Sequence, residues 1–296
     1  MDTRREAKLR SDLRVSLRIL AAAGVAAAAG VDAHALTHCT DTIFTNGFDG
    51  GARSPVAMHR GASGPSAVLT DGFELYALDV QLPASLTAIG HTNGEVFLLA
   101  FADGNFDRVF GLEPGLGAHP AMLASIRTSD AAITPIGITP TPTGEWSGFK
   151  QDPLSGMLYA VATTCGSSSI LYTIDRSTAA FQRIGEIVGV PCAVSLAIGP
   201  HGDMYSMDVG LDELFEIDQN NADASSVGSI GFDAGYQDMD FDGATGTLYA
   251  AGLNNSTHRN ELRAIDRLTG ESALVGVIPV DQTVGFAIEN AVVCTP

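Results

Sequence analysis

Lysine is nearly missing from this 296-residue chain: it occurs twice, at Lys8 and Lys150. Tryptophan occurs once, as Trp146. Beyond Val31 no apolar run approaches the roughly 20 residues a bilayer-crossing helix needs. There is no Gly-x-Ser-x-Gly nucleophile elbow, no glycine-rich phosphate loop ending in Lys-Ser/Thr and no Cys-x-x-Cys pair. These absences remove the serine-hydrolase, P-loop nucleotidase and zinc-ribbon patterns. Basic residues are also outnumbered, 16 Lys and Arg against 34 Asp and Glu, for a net charge of −18.

Six of those basic residues sit in the first 18 positions (Arg4, Arg5, Lys8, Arg10, Arg14 and Arg18). An apolar stretch from Ile19 to Val31 follows, then Ala33-His34-Ala35. A basic start, a short apolar run and small residues form a secretory signal, with cleavage expected after Ala35. The alternative is a membrane anchor, for which the alanine-rich run is short. Removing residues 1–35 takes away six basic and four acidic residues, so 10 basic and 30 acidic remain, a net of −20. Lys150 is then the sole lysine. Such a field repels nucleic acid and anionic lipid, so no nucleic-acid partner and no membrane span after signal removal are expected. The charge either serves solubility or attracts cations, basic proteins and cationic ligands.

What is abundant is glycine, with 33 residues, and a repeated phrase. An apolar strand ending in Ile/Leu-Asp is followed by a polar turn and an apolar pair closed by Gly. The copies start at Leu75, Leu123, Leu171, Leu214 and Leu262, spaced 48, 48, 43 and 48 residues apart. A second phrase precedes it at Val109–Leu112, Met157–Ala160, Met204–Met207 and Leu248–Ala251. A third strand lies ahead of that, at Phe97–Phe101, Trp146–Phe149, Ala193–Ile198 and Met239–Phe241. Four short strands per unit of roughly 40–50 residues are the mark of a β-propeller blade. The expectation is an all-β propeller of about five four-stranded blades, alternatively six. Residues 1–35 are the signal, 36–70 an N-terminal lead-in and 71–296 the propeller.

The ring closes on paper as well. The first unit lacks an inner strand, and an unpaired strand, Val284-Gly-Phe-Ala-Ile288, lies at the end of the chain. Placing it in the first blade removes two open sheet edges, which otherwise invite aggregation. All four cysteines lie beyond residue 35, an even number in an exported chain. Cys39 and Cys294 flank the closure. Cys165 and Cys192 fall in loops that emerge on one propeller face. The expected pairs are Cys39–Cys294 and Cys165–Cys192, the alternative for the second being two buried free thiols.

The phrase Gly246-x-Leu-Tyr-Ala250 followed by Leu262-x-x-Ile-Asp-x-x-Thr-Gly270 resembles the repeats of quinoprotein-like, YVTN-like and NHL-like bacterial propellers, over about residues 70 to 290. The resemblance implies the propeller fold and an exported protein, and leaves the activity open. Quinoprotein blades carry a docking tryptophan each; the single Trp146 speaks against a quinone. Cys39-Thr-Asp-Thr-Ile-Phe-Thr-Asn-Gly-Phe-Asp49 resembles a short segment of secreted proteobacterial proteins.

Candidate site residues come from two places. Asp238, Asp240 and Asp242 alternate along one inner strand, so they share a face. They are placed to gather Ca²⁺ at the channel or, alternatively, to serve as turn and edge residues. No other cofactor is implied. The recurring Asp79, Asp175, Asp218 and Asp266 read as turn caps, with Arg127 in their place in the second copy. The second place is the loop face bearing Cys165 and Cys192, where His91, Glu145, Trp146, Asp208, Tyr236 and His258 gather. Loops on a rigid scaffold commonly carry binding. Trp146 either stacks on a ligand there or belongs to the core. The leading expectation is an extracellular or periplasmic module that binds a ligand or protein through this face. The alternatives are a metal-dependent hydrolase or lactonase with carboxylates at the channel mouth, and a structural surface-display protein.

Overall fold

The structure, a computed structural model, describes residues 67–101, 106–113, 121–166 and 168–289. Twenty strands form five four-stranded antiparallel sheets. The first blade runs from the inside out as β20 (Gly285–Ile288), β1 (Ala67–Thr70), β2 (Glu74–Leu78) and β3 (Leu86–His91). The second is β4 (Leu98–Phe101), β5 (Arg108–Glu113), β6 (Met122–Arg127) and β7 (Ile133–Ile138). The third is β8 (Glu145–Gln151), β9 (Leu158–Thr163), β10 (Ser169–Ile174) and β11 (Phe181–Ile187). The fourth is β12 (Ala193–Ile198), β13 (Met204–Asp208), β14 (Glu213–Ile217) and β15 (Ala224–Ser229). The fifth is β16 (Ala234–Asp242), β17 (Thr247–Asn254), β18 (Arg259–Ile265) and β19 (Ser272–Val277).

The chain is therefore a five-bladed β-propeller, and the expected closure is present: Phe286 lies opposite Leu69 and Ile288 opposite Ala67. The first blade begins earlier than the boundary at residue 71 read from the sequence. Its second strand is Ala67–Thr70, too short to display the aromatic phrase of its counterparts. No helix among the described residues is long and apolar enough to cross a membrane.

Burial follows position in the blade. The inner strands β4 and β20 are buried at every residue, whereas the outer strands β3, β7 and β15 alternate between half-buried and exposed. Five apolar clusters each span two neighbouring blades. One of them joins Tyr249 and Leu262 of the fifth blade to Leu69 and Phe286 of the first, so the ring is packed all the way round.

The glycine that ends each repeat has a structural cause. Gly90, Gly137, Gly185, Gly228 and Gly276 lie on outer strands beside a β-bulge. Each abuts the turn between the third and fourth strands of the next blade. A Cβ on Gly137 would lie 2.8 Å from the Thr178 carbonyl oxygen, and one on Gly185 2.6 Å from that of Asn221. One on Gly276 would meet the Pro83 ring at 2.6 Å, which closes the series onto the first blade. The repeat thus encodes the contact between blades as well as the strands.

The aspartates of the repeat cap those same turns. Asp79, Asp175, Asp218 and Asp266 accept the amides of Gln81, Ser177, Asn220 and Leu268 at 2.8–2.9 Å. In blades two to five the turn backbone repeats, with Ala131, Ala179, Ala222 and Gly270 at φ of 57° to 82°. Where Arg127 replaces the aspartate, Asp130 accepts the Ala132 amide instead.

Substituting Gly185 by valine should force this blade contact apart. The expected loss is about 2–3 kcal/mol of unfolding free energy in urea melts, within the range for overpacked sites, whereas valine in place of Gly166, whose nearest contacts are 3.8 Å or more away, should cost far less.

Candidate functional site

Strand direction separates the two faces. The inner strands start on the face that also carries the turns between the second and third strands of each blade and the crossings between blades; this is the loop face. They end on the opposite face, where the repeated capped turns lie.

At the axis the five inner strands β4, β8, β12, β16 and β20 pack against one another in that order. Their inward edges carry backbone N–H and C=O groups that no strand partner can reach. Lys150 on β8 and Asp238 and Asp240 on β16 satisfy those of the closing strand. The Lys150 ammonium donates to the carbonyls of Leu99 and Phe286 at 2.8 and 2.9 Å and to Asp238 Oδ2 at 2.8 Å. Asp238 Oδ2 also accepts the Phe286 amide at 3.0 Å, and Asp240 Oδ2 accepts the Ile288 amide at 2.8 Å. The three side chains are 0–2 % exposed.

Here one ammonium faces two carboxylates. Burial pushes the Asp238 carboxyl up, opposed by Lys150. Burial also pushes Asp240 up to about 7, again opposed by Lys150. The surplus acid of the cluster therefore holds a proton well above the usual carboxylate range. Strands β4, β12 and β20 add no titratable side chain.

The sequence placed Asp238, Asp240 and Asp242 on one face, and the structure divides them. Asp242 bends to the turn, accepting the Ala244 amide at 3.1 Å and the Thr245 hydroxyl at 3.0 Å. Asp152 does the same for Leu154 and Ser155. Among the described residues no three His, Cys, Asp or Glu side chains converge in a way that could hold a metal ion. The role of Lys150 escaped the sequence reading, although its standing as the sole lysine beyond residue 35 was a visible signal.

On the loop face the disulfide Cys165–Cys192 ties the β9–β10 turn to the crossing that leads into β12. Cys39 and Cys294 lie outside the described residues. Asp208 is fully buried and supports the same crossing: it accepts the Cys192 amide at 2.7 Å and those of Gly210 and Leu211 at 2.8 and 3.0 Å. It is thus a brace rather than a displayed group. Trp146 likewise does not reach the surface. Its ring stands edge-on to Tyr172 and Phe181 at 5.3 and 5.7 Å, because the packing between blades buries the large aromatic. His91, Glu145, Tyr236 and His258 are exposed. The His91 ring lies 6.3 Å from that of Phe73.

The two faces differ in regularity. The opposite face repeats one turn design. Backbone irregularity is concentrated at the loop face, where the inner strands of the third, fourth and fifth blades each bulge near their start, between Trp146 and Gly148, Val194 and Ala197, and Ala234 and Gln237. Cys165, Ser195, Asp212 and His258 have positive φ of 47° to 96°. Thr139, Trp146, Ser195 and Thr283 here, and Asp203 on the opposite face, each bury a side-chain polar atom with no hydrogen-bond partner. Tyr236, in one of the bulges, is turned outward and is 67 % exposed.

No protein-family model matches the chain, and no curated protein matches it. Solved structures do. A protein of unknown function from Bacteroides thetaiotaomicron aligns with TM-score 0.51 at 17% identity, over 77% of this chain and 63% of that one. The chain thus spans less than two thirds of that protein's length. A regucalcin from Agrobacterium tumefaciens, described as calcium-binding, aligns with TM-score 0.45 at 15% identity over 74% and 72%. A nidogen/laminin complex does so with TM-score 0.45 at 11% identity over 75% and 84%. The likeness is one of fold: this is a β-propeller repeat protein whose fold leaves its activity open.

The axial cluster makes stability depend on pH. Asp240 takes up its proton near 7 when folded and near 3.8 in its unperturbed state. Its contribution is complete below about 4 and is lost as pH rises through 7, at roughly 1.4 kcal/mol per unit. Wild-type protein should therefore lose unfolding free energy between about pH 4 and 7, and Asp240→Asn should flatten that slope. Lys150→Met, which strands the Asp238 charge, should cost about 3–5 kcal/mol at pH 7 in chemical denaturation.

Proposed function

We propose that this chain is an exported binding module that engages an extracellular or periplasmic ligand or protein through its loop face. The observation that carries this reading is the contrast between the faces. A repeat scaffold stabilises itself by obeying its pattern, as the capped turns of the opposite face do. Inner-strand bulges and buried polar atoms without partners are costly, and the bulges and four of the five such atoms among the described residues lie on the other side. The disulfide fixes part of that face in place, so a ligand would meet a pre-ordered surface. Tyr236, Val188 and Leu211 stand exposed on it, and they are residue types that gain from being covered.

Export supports the same reading. The basic start, the Ala-rich run and Ala33-His34-Ala35 form a secretory signal. A disulfide between Cys165 and Cys192 persists in an oxidising compartment.

Two measurements test the proposal. Intact mass of the exported protein should correspond to a chain starting at Leu36; recovery of uncleaved chain in the cytoplasm would remove the exported setting. For the face, immobilised protein should capture a partner from the exported fraction of its native host. Replacing Val188, Leu211 and Tyr236 by serine should abolish capture, and replacing the opposite-face Leu82, Leu154 and Leu268 should not. Equal loss in both triple variants would overturn the assignment of the face.

A further inference from the structure

The few cations of this chain are unequally shared between its two faces. Arg108, Arg127, Arg176 and Arg267 all lie at the opposite face, at strand ends or in the repeated turns. Arg267 is bonded there to Asp203 at 2.6 Å, and Arg127 to Asp130 at 2.7 Å. At the loop face the described cations are fewer: Arg259, the first residue of β18, and Arg263 of the same strand, which lies over the Phe232 ring and is bonded to Glu261. The crossings between blades on that face expose Glu95, Glu145, Asp233 and Asp281. These four come at four different passages between blades, so the negative charge is spread over the face instead of gathering on one loop. Apolar side chains are interspersed with them, one from each blade: Phe73, Ile138, Val188, Leu211 and Tyr236 are 48, 63, 73, 49 and 67 % exposed.

Resting on the loop-face reading above, we infer that the partner is a basic, amphipathic polypeptide segment that lays cationic side chains on these carboxylates and apolar ones among the exposed aliphatic and aromatic residues. Carboxylates spread over a rigid face draw in the opposite charge from a distance and reject acidic chains. Charge alone gives a loose, salt-sensitive encounter; the apolar residues supply the desolvated contact that makes it specific. A neutral sugar or lipid would make no use of the loop-face carboxylates. An anionic ligand would meet few cations here, and the opposite face, which exposes Asp79, Asp175, Asp218, Asp223, Asp266 and Glu271 beside its arginines, is acidic as well.

Three synthetic peptides test this against the purified protein: one alternating lysine and leucine, one in which serine replaces leucine, and one in which glutamate replaces lysine. The lysine–leucine peptide should bind, weakening as salt is raised. The lysine–serine peptide should bind at least tenfold more weakly and the glutamate–leucine peptide not at all. Neutralising the loop face with Glu145→Gln, Asp233→Asn and Asp281→Asn should weaken binding at least tenfold, whereas Asp223→Asn with Glu271→Gln on the opposite face should change it less than twofold. Failure of the lysine–leucine peptide to bind, or equal binding by the glutamate–leucine or lysine–serine peptide, would overturn the partner class while leaving the loop face as the site. Equal weakening by the loop-face and opposite-face variants would instead show that binding is not on the loop face, and the reading beneath would fall with it.

Discussion

The centre of a narrow propeller poses a problem that its blades cannot solve. Every inner strand has one edge paired within its own sheet and one edge aimed at the axis. The axial edge carries amides and carbonyls that water does not reach. For the closing strand, Lys150, Asp238 and Asp240 supply the missing partners, binding Phe286 and Ile288 from two other blades. Buried charges are expensive unless each is paired and hydrogen-bonded. In this cluster they are, apart from the one surplus charge that Asp240 sheds by holding a proton. The strand that completes the first blade is thus gripped on both sides, by β1 through the ladder and by the axis through side chains.

Much of this architecture was legible beforehand, because a repeat writes the same physical demand several times. The Leu-x-x-Ile-Asp phrase located the third strand and its capped turn in each blade. The unpaired segment at 284–288 identified its own destination, since leaving it out left an open edge. The spacing of Cys165 and Cys192 within the blade scheme was enough to pair them. What was less visible depended on single residues seen once. Ala67–Thr70 is four small or apolar residues with no aromatic mark, so it read as lead-in. The three alternating aspartates looked alike in one dimension, but a turn claimed Asp242 and the axis claimed the other two. Asp208 and Trp146 sat at the right height for a surface site, and side-chain direction carried both inward. The glycine closing each phrase read as punctuation, and only the neighbouring blade's turn explains it.

Regularity and irregularity divide the labour of the disc. One face is a series of near-copies, in which Ala131, Ala179, Ala222 and Gly270 adopt the same left-handed backbone and the same hydrogen bonds close the turn. That side stabilises the ring and gives little to distinguish one blade from another. The other side carries the inner-strand bulges and most of the unpartnered buried polar atoms, and it is there that exposed carboxylates and apolar side chains coincide. A scaffold that can tolerate such departures needs reserve stability elsewhere, which the five clusters between blades and the repeated caps provide.

The register that sets Ile288 opposite Ala67 means the two ends of the described chain meet as adjacent strands inside one sheet. The seam therefore falls within a blade, where ladder hydrogen bonds zip it shut, and not at a boundary between blades held by side-chain packing alone. A ring joined in this manner has no natural beginning. Any of its five sheets offers an equivalent place to break and rejoin the polypeptide, so the order of blades along the chain and their order around the circle are separable properties of this molecule.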